Sequence, residues 1–337
     1  MSQVSHPARA RRLRRALAGI AVVGGVAAVM VSTAGASPPA TAAASKIVIG
    51  SVVNDLTNPF LATMAKAEET QAAKEGATIH VVGGSSGGTI QISLQIAAVQ
   101  QFISQHVSLI LMTASDPNAI VPSVKLANAA GIPVIAVNTT VGAKAKIVTF
   151  VGDNDYQYGV KEAQLVAKAL NGKGNVALLE GVLGDSPEVL RTNAIKATLA
   201  KYPGIHIVTS EVDNWTNPLN ITDVQNLLAK YTGNSLNAVV AEGPEMFAGA
   251  NWARSQGHTT TKFIAGDYSR EVESAIKTGA LYGTVNQSPA TEGMLGVQLG
   301  IDWLTGKKSL VKQPIDYIPL PLVTKANVSK IPATWSS

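Results

Sequence analysis

Two amides and an aromatic ring stand close together early in the chain. They are Asn54, Asn58 and Phe60, in the run Asn-Asp-Leu-Thr-Asn-Pro-Phe-Leu over 54–61. Amide side chains both donate and accept hydrogen bonds, and a ring face packs against C–H groups. That set suits a neutral polyhydroxylated molecule, with hydroxyls for the amides and an apolar face for the ring. It equally suits a capped helix with a phenylalanine in the core. Later residues have the same double character. Arg191 offers a planar fork for two adjacent hydroxyls, or a solvated helix charge. Trp215 is a large indole in the polar run Asp-Asn-Trp-Thr-Asn over 213–217, a setting that favours a ligand platform or interface over core. Asp267 and Gln287 each follow a short apolar run and read as ligand contacts or as turn residues.

Catalytic chemistry has one weak signal. Gly83-Gly84-Ser85-Ser86-Gly87 contains Gly-x-Ser-x-Gly between an expected strand and helix. A nucleophile elbow there needs a carboxylate and then a histidine later in the chain. His106, His206 and His258 follow, none in a distinctive context, and the extra glycines loosen the turn. A secreted α/β hydrolase using Ser85 is therefore the alternative reading. No Gly-Lys-Ser/Thr follows to cradle a phosphate. The five histidines show no metal-ligand spacing, and no cysteine occurs, which excludes disulfides, thiolate metal sites and a lipid-modified cysteine. No cofactor and no metal is expected.

Such residues need regular elements to hold them. The apolar run 47–53 reads as a buried strand and 62–70 as a helix, with Asn58 at the N-cap and Pro59 at the first helical position. Strands at 78–82, 107–113, 133–137 and 147–151 alternate with helices at 89–105 and from Asp116-Pro117 to Gly131. A helix near 156–170 opens a second set, with strands at 175–179, 205–212, 238–241, 263–265 and 282–285. Helices lie between them at about 187–201, 219–231, 245–256 and 271–277. This alternation predicts parallel sheets covered on both faces, and two successive sets predict two similar domains. In such sheets, ligands sit beyond the carboxyl ends of the strands. Asn58-Pro59, Asp116-Pro117, Ser186-Pro187 and Asn217-Pro218 are expected to cap helices there and to form the polar rim of a cleft.

The amino-terminal region has a different composition. Arg9, Arg11, Arg12, Arg14 and Arg15 precede a nearly continuous apolar run over 16–31, and Ala34-Gly35-Ala36 fits a small-residue cleavage site. This is the pattern of a secretory signal peptide over 1–36, followed by a small-residue lead-in over 37–45 that is expected to be disordered. An uncleaved leader would instead make a membrane-tethered sugar-sensing module. Cleavage leaves about 300 residues, room for two domains of about 150 each. The leader's five arginines account for the formal net charge of +5, so the remainder is neutral. A neutral chain argues against nucleic acid and anionic membrane as partners.

Several short runs carry a family resemblance by their order and spacing. They are Asn-Pro-Phe at 58–60, Gly-Ile-Pro-Val-Ile at 131–135, Val-Gly-Asp-Asn at 151–154 and Val-Gln-Asn-Leu-Leu at 224–228. Glu245-Met246, Ile-Ala-Gly-Asp at 264–267 and Gln-Ser-Pro at 287–289 continue the series. From Lys46 to about Val323 the chain resembles the ribose/galactose-type periplasmic sugar-binding proteins, the substrate-capturing subunits of bacterial ABC importers.

The resemblance implies two Rossmann-like three-layer α/β domains with parallel sheets, joined by a three-crossing hinge near 151–153, 287–289 and 315–318. The first lobe would be 46–152 plus 288–314, the second 153–287 plus 315–337. Asn58, Phe60, Arg191, Asp267 and Gln287 match the residue types of the family's sugar contacts. Trp215 stands for a pocket phenylalanine, Leu61 for a second aromatic, Asn138-Thr139 for an Asp-Arg pair and Gly243 for an asparagine. With Asn54, these form the expected site, less charged and differently shaped than a ribose pocket. The implied function is non-catalytic: capture of a neutral sugar or polyol by hinge closure, then delivery to a membrane permease. A chemoreceptor is an optional further partner, and the protein is expected to be a periplasmic or secreted monomer.

Overall fold

A computed structural model describes residues 46–86 and 89–337; the expected leader, the lead-in and Gly87 lie outside the described residues. The first half contains β1 (Val48–Val53), α1 (Pro59–Lys74), β2 (Thr78–Gly83), the short strands β3 (Ser85–Ser86) and β4 (Thr89–Ile90), and α2 (Ile92–Ser104). It continues with β5 (Leu109–Met112), α3 (Val121–Ala129), β6 (Val134–Val137) and β7 (Phe150–Gly152). The second half runs α4 (Asp155–Ala169), β8 (Lys173–Glu180), α5 (Ser186–Leu199), β9 (Gly204–Val212) and α6 (Asn217–Lys230). It continues through β10 (Ala238–Ala241), α7 (Met246–Ser255), β11 (Lys262–Gly266), α8 (Arg270–Thr278) and β12 (Gly283–Val285). The chain then returns through α9 (Pro289–Leu304), β13 (Ile315–Tyr317) and β14 (Leu322–Thr324).

Two six-stranded sheets result, in the orders β2-β1-β5-β6-β7-β13 and β9-β8-β10-β11-β12-β14. The first is parallel throughout; in the second only β14 is antiparallel, against β12. The central strands β5, β6 and β10 are wholly apolar because both of their faces are covered. In β5, Leu109 and Leu111 join the core under α1 and α9, while Ile110 and Met112 join the core under α2 and α3. In β8, Ala177 and Leu179 face α6, α7 and α8, while Val176 and Leu178 face α4 and α5. That two-residue alternation is the ordinary consequence of the pleat.

Four expectations need revision. No helix was expected at 289–304, yet α9 is among the longest described, with 16 residues. Its glycines mask the helical signal but permit close packing. A Cβ on Gly293 would lie 2.2 Å from the Met64 carbonyl oxygen of α1. The second helix starts at Ile92, because Thr89-Ile90 pairs with Ser85-Ser86. The helix after Asp116-Pro117 begins only at Val121; Asp116 Oδ1 accepts from the Asn118 and Ala119 N–H groups and holds a turn instead. Finally, Ile315–Tyr317, assigned above to the second lobe, pairs with β7 in the first sheet, and beyond it the Asn286 N–H meets the Pro321 carbonyl at 2.9 Å.

Candidate ligand-binding cleft

The carboxyl ends of both sheets face a cleft that encloses about 280 Å³. From the first lobe, Asn54, Asn58, Phe60, Leu61, Asn138 and Thr139 line it. Arg191, Trp215, Asp267 and Gln287 line it from the other side and the hinge. Gly243 lies behind Trp215: a Cβ there would be 2.7 Å from the indole Cδ1. Gly181 backs the same ring, with a hypothetical Cβ 2.0 Å from Cε2. Four lining residues, Asn138, Asn214, Trp215 and Asp267, have φ between 51° and 65°. Left-handed backbone is strained in such residues and gathers where a site fixes side-chain direction.

The first-lobe residues hang from strand ends. Asn58 caps α1, its Oδ1 accepting from the N–H groups of Phe60 at 2.9 Å and Leu61 at 3.3 Å, and the residue lines the cavity. Asn54 accepts from the Asp55 N–H and donates across the cleft to Asp185 at 3.4 Å. Asn138 donates to Glu292 at 3.0 Å, and the buried Thr139 hydroxyl has no partner.

Arg191 is tied more tightly than a ligand clamp requires. Its Nε donates to Asp155 Oδ1 at 2.9 Å, Nη1 to the Glu242 carbonyl at 2.9 Å and Nη2 to Gln287 Oε1 at 2.8 Å. Its guanidinium also lies 3.8 Å above the Tyr158 ring. The fork expected to hold two ligand hydroxyls thus chiefly connects α4, α5, β10 and the hinge. Gln287 continues the chain of bonds, its Nε2 donating to Glu292 at 2.8 Å. Asp267 accepts from the Tyr158 hydroxyl at 3.0 Å.

The walls also carry carboxyl groups. Asp185 and Glu245, neither anticipated, line the cavity and are buried. Burial, with Asp155 nearby, pushes Asp185 up to about 8. Burial and the adjacent Asp213 carry Glu245 well above the ordinary carboxyl range, and neither of its oxygens accepts a hydrogen bond. Burial also raises Asp267, to about 6, although Arg191 and Tyr158 oppose the rise. At neutral pH Asp185 and Glu245 can therefore serve as donors as well as acceptors, while Asp267 remains chiefly an acceptor. Trp335 and Ser337 also reach the cavity. Their sequence signal was absent, because the last stretch carries no strand or helix pattern.

The hydrolase alternative has no geometric support. The Ser85 hydroxyl donates to Asp55 at 2.7 Å within a network that also holds Thr57, and no histidine takes part in it. Among the described residues no cluster of His, Cys, Asp and Glu could hold a metal ion, and no helix is long and apolar enough to cross a membrane.

Two parallel-sheet lobes around a polar cleft with aromatic walls define a solute-binding protein. The chain belongs to the periplasmic binding protein family, whose domain model matches residues 49–308. A xylitol-binding protein of Mycolicibacterium smegmatis is 29% identical over 83% of this chain and 78% of its own length. The ribose import binding protein RbsB of Bacillus subtilis is also 29% identical, over 86% of this chain and 91% of its own. Among solved structures, an ABC transporter solute-binding protein of Bacillus halodurans with bound myo-inositol superposes with a TM-score of 0.78. It is 27% identical and covers 86% of this chain and 98% of that one. By name these relatives bind xylitol and ribose, the solved structure holds myo-inositol, and the family is one of binding proteins rather than enzymes.

Proposed function

We propose that this protein captures one neutral sugar or polyol in the cleft, closes around it and presents the closed form to an ABC import permease. The observation that carries this is the pairing of ring surfaces, Phe60 and Trp215, with amide and carboxyl groups from both sides of one small cavity. At about 280 Å³ the space lies just below the roughly 300–1,000 Å³ typical of drug-sized ligands, which suits a single small polyol. The relatives named for xylitol and ribose, and the structure holding myo-inositol, support the same class. Asn58, Asp267 and Gln287 are the proposed polar contacts, Phe60 and Trp215 the stacking faces, and Leu61, Asn138, Thr139 and Gly243 set the shape. The site is complete within one chain, which supports a monomer. A chemoreceptor would read the same closed form.

The test is a thermal-shift screen over pentoses, hexoses, polyols and inositols. A compound at 100 times its Kd stabilises the native state by about 2.7 kcal/mol. A screen in which no member of these classes shifts the melting temperature, while a different chemical class does, sinks the proposal. Export is proposed with removal of the leader, so the amino terminus of secreted material falls between Ser37 and Lys46; retention of the arginine cluster would contradict this.

A further inference from the structure

The last stretch of the chain is attached to one lobe and delivers a side chain to the other. After β14 and a short 3-10 turn (Val328–Lys330), residues 331–337 run along the start of α8 and the residues just before it. The Tyr268 hydroxyl donates to the Ile331 carbonyl at 2.6 Å, and the Ala333 N–H donates to Glu273 at 3.0 Å. The Arg270 N–H donates to the Trp335 carbonyl at 2.9 Å. Further along, the Ser337 N–H donates to Glu271 at 2.9 Å, and the Ser337 and Ser269 hydroxyls lie 2.7 Å apart. All these partners belong to the second lobe, directly beyond Asp267.

The Trp335 ring goes the other way. It joins the first lobe's core cluster and meets Phe60 edge-on, with ring centroids 5.5 Å apart at 89°. The residue is only 4% exposed, yet its indole Nε1 has no hydrogen-bond partner, and Trp335 lines the cavity. A buried N–H without a partner is unfavourable, and indole nitrogens usually find one. The cavity is where a partner would sit.

We propose that Trp335 is a ligand-contact residue, carried on a strap from the second lobe, whose indole N–H donates to a hydroxyl oxygen of the bound sugar or polyol. It supplies the second aromatic surface beside Phe60 that Leu61 does not provide. Because its backbone moves with one lobe and its ring packs on the other, its contact with Phe60 forms on closure and is lost on opening. This inference rests on the proposed binding of polyols in the cleft.

The experiment is calorimetric titration of wild-type protein, Trp335→Phe and Trp335→Ala with each member of the pentose, hexose, polyol and inositol panel that the wild type binds. Trp335→Phe keeps a ring against Phe60 and removes only the donor and part of the surface; its melting curve and circular dichroism report the fold. Affinity is expected to fall about tenfold in Trp335→Phe, the size of one hydrogen bond, and further in Trp335→Ala. Wild-type affinity in folded Trp335→Phe overturns the donor role. Wild-type affinity in both variants overturns the contact altogether while leaving polyol binding intact. If the wild type binds no member of the panel, the reading of the cleft and this inference fall together.

Discussion

Tyr158 and Asp267 exchange two hydrogen bonds. The phenol donates to Asp267 Oδ1 at 3.0 Å and accepts from the Asp267 N–H at 2.5 Å. Asp267 sits at φ 51°, so side chain and backbone are fixed together at the end of β11. One carboxyl oxygen is thereby aligned by the protein while the residue still lines the cavity. A pre-oriented acceptor has less freedom to lose when it meets a ligand hydroxyl.

Asp267→Asn is expected to keep the fold and lose roughly 1.5–3 kcal/mol of ligand affinity, the range for hydrogen bonds to charged groups. Calorimetry with a compound from the screen measures this. Unchanged affinity would remove Asp267 from the contact set.

Arg191→Met is expected to fail differently. Its ion pair with Asp155 is buried on both sides, and removing one partner of a buried pair typically costs about 3–5 kcal/mol. The variant should show a clearly lowered melting temperature even without ligand. A wild-type melting curve with reduced affinity would restore Arg191 to the role of ligand clamp.

The indole of Trp215 should be movable from behind. Trp215→Ala is expected to weaken binding by about 1–3 kcal/mol through lost stacking and burial. Gly181→Ala places a methyl group within the ring's own volume and should weaken binding without touching the ligand. The two changes should be far from additive, since both displace one ring. Full additivity in a double-mutant cycle would count against the shared mechanism.

Stability should depend on pH through buried acids. Burial pushes Glu68, Asp185 and Glu242 each up to about 8, from unfolded values near 4. A folded-state value raised in this way stabilises fully below the unfolded value, and that stabilisation is lost as pH rises through the folded one. The ligand-free protein should therefore melt at a higher temperature at pH 5 than at pH 8. Glu68 lies in α1, outside the cavity lining, with one oxygen accepting from Ser51 at 2.6 Å and the other unpaired. Glu68→Gln should flatten part of the pH profile and leave affinity unchanged. A melting temperature that rises steadily from pH 5 to 8 would contradict the assignment.

The strands were legible because parallel sheets bury both faces, and runs such as Val134–Val137 are apolar without interruption. The strand-end turns were legible for the same reason, since polar residues placed there have few other uses. Legibility failed where local pattern and tertiary role diverge. Gly293, Gly296 and Gly300 look like helix breakers until α1, β5 and β6 are seen pressed against them. Arg191 looked free because its partners are far away in sequence. Ser186 read as the cap of α5, but Asp185 holds that position, makes no capping bond with its side chain and lines the cleft. Trp335 sits in a stretch with no periodicity at all, and only the folded chain brings it to Phe60.

The close seating of Gly293 on Met64 has a mechanical consequence. Helix α9 begins immediately after the hinge residues Gln287 and Ser288, and α1 begins at the turn that carries Asn58 and Phe60. At Gly293 no side chain separates the two helices, and further along the Gln71 amide of α1 donates to Gln298 of α9 at 2.8 Å, so the pair makes a stiff lever from the pivot to the turn. Rotation at the pivot then reaches the turn that carries Asn58 and Phe60 without slack.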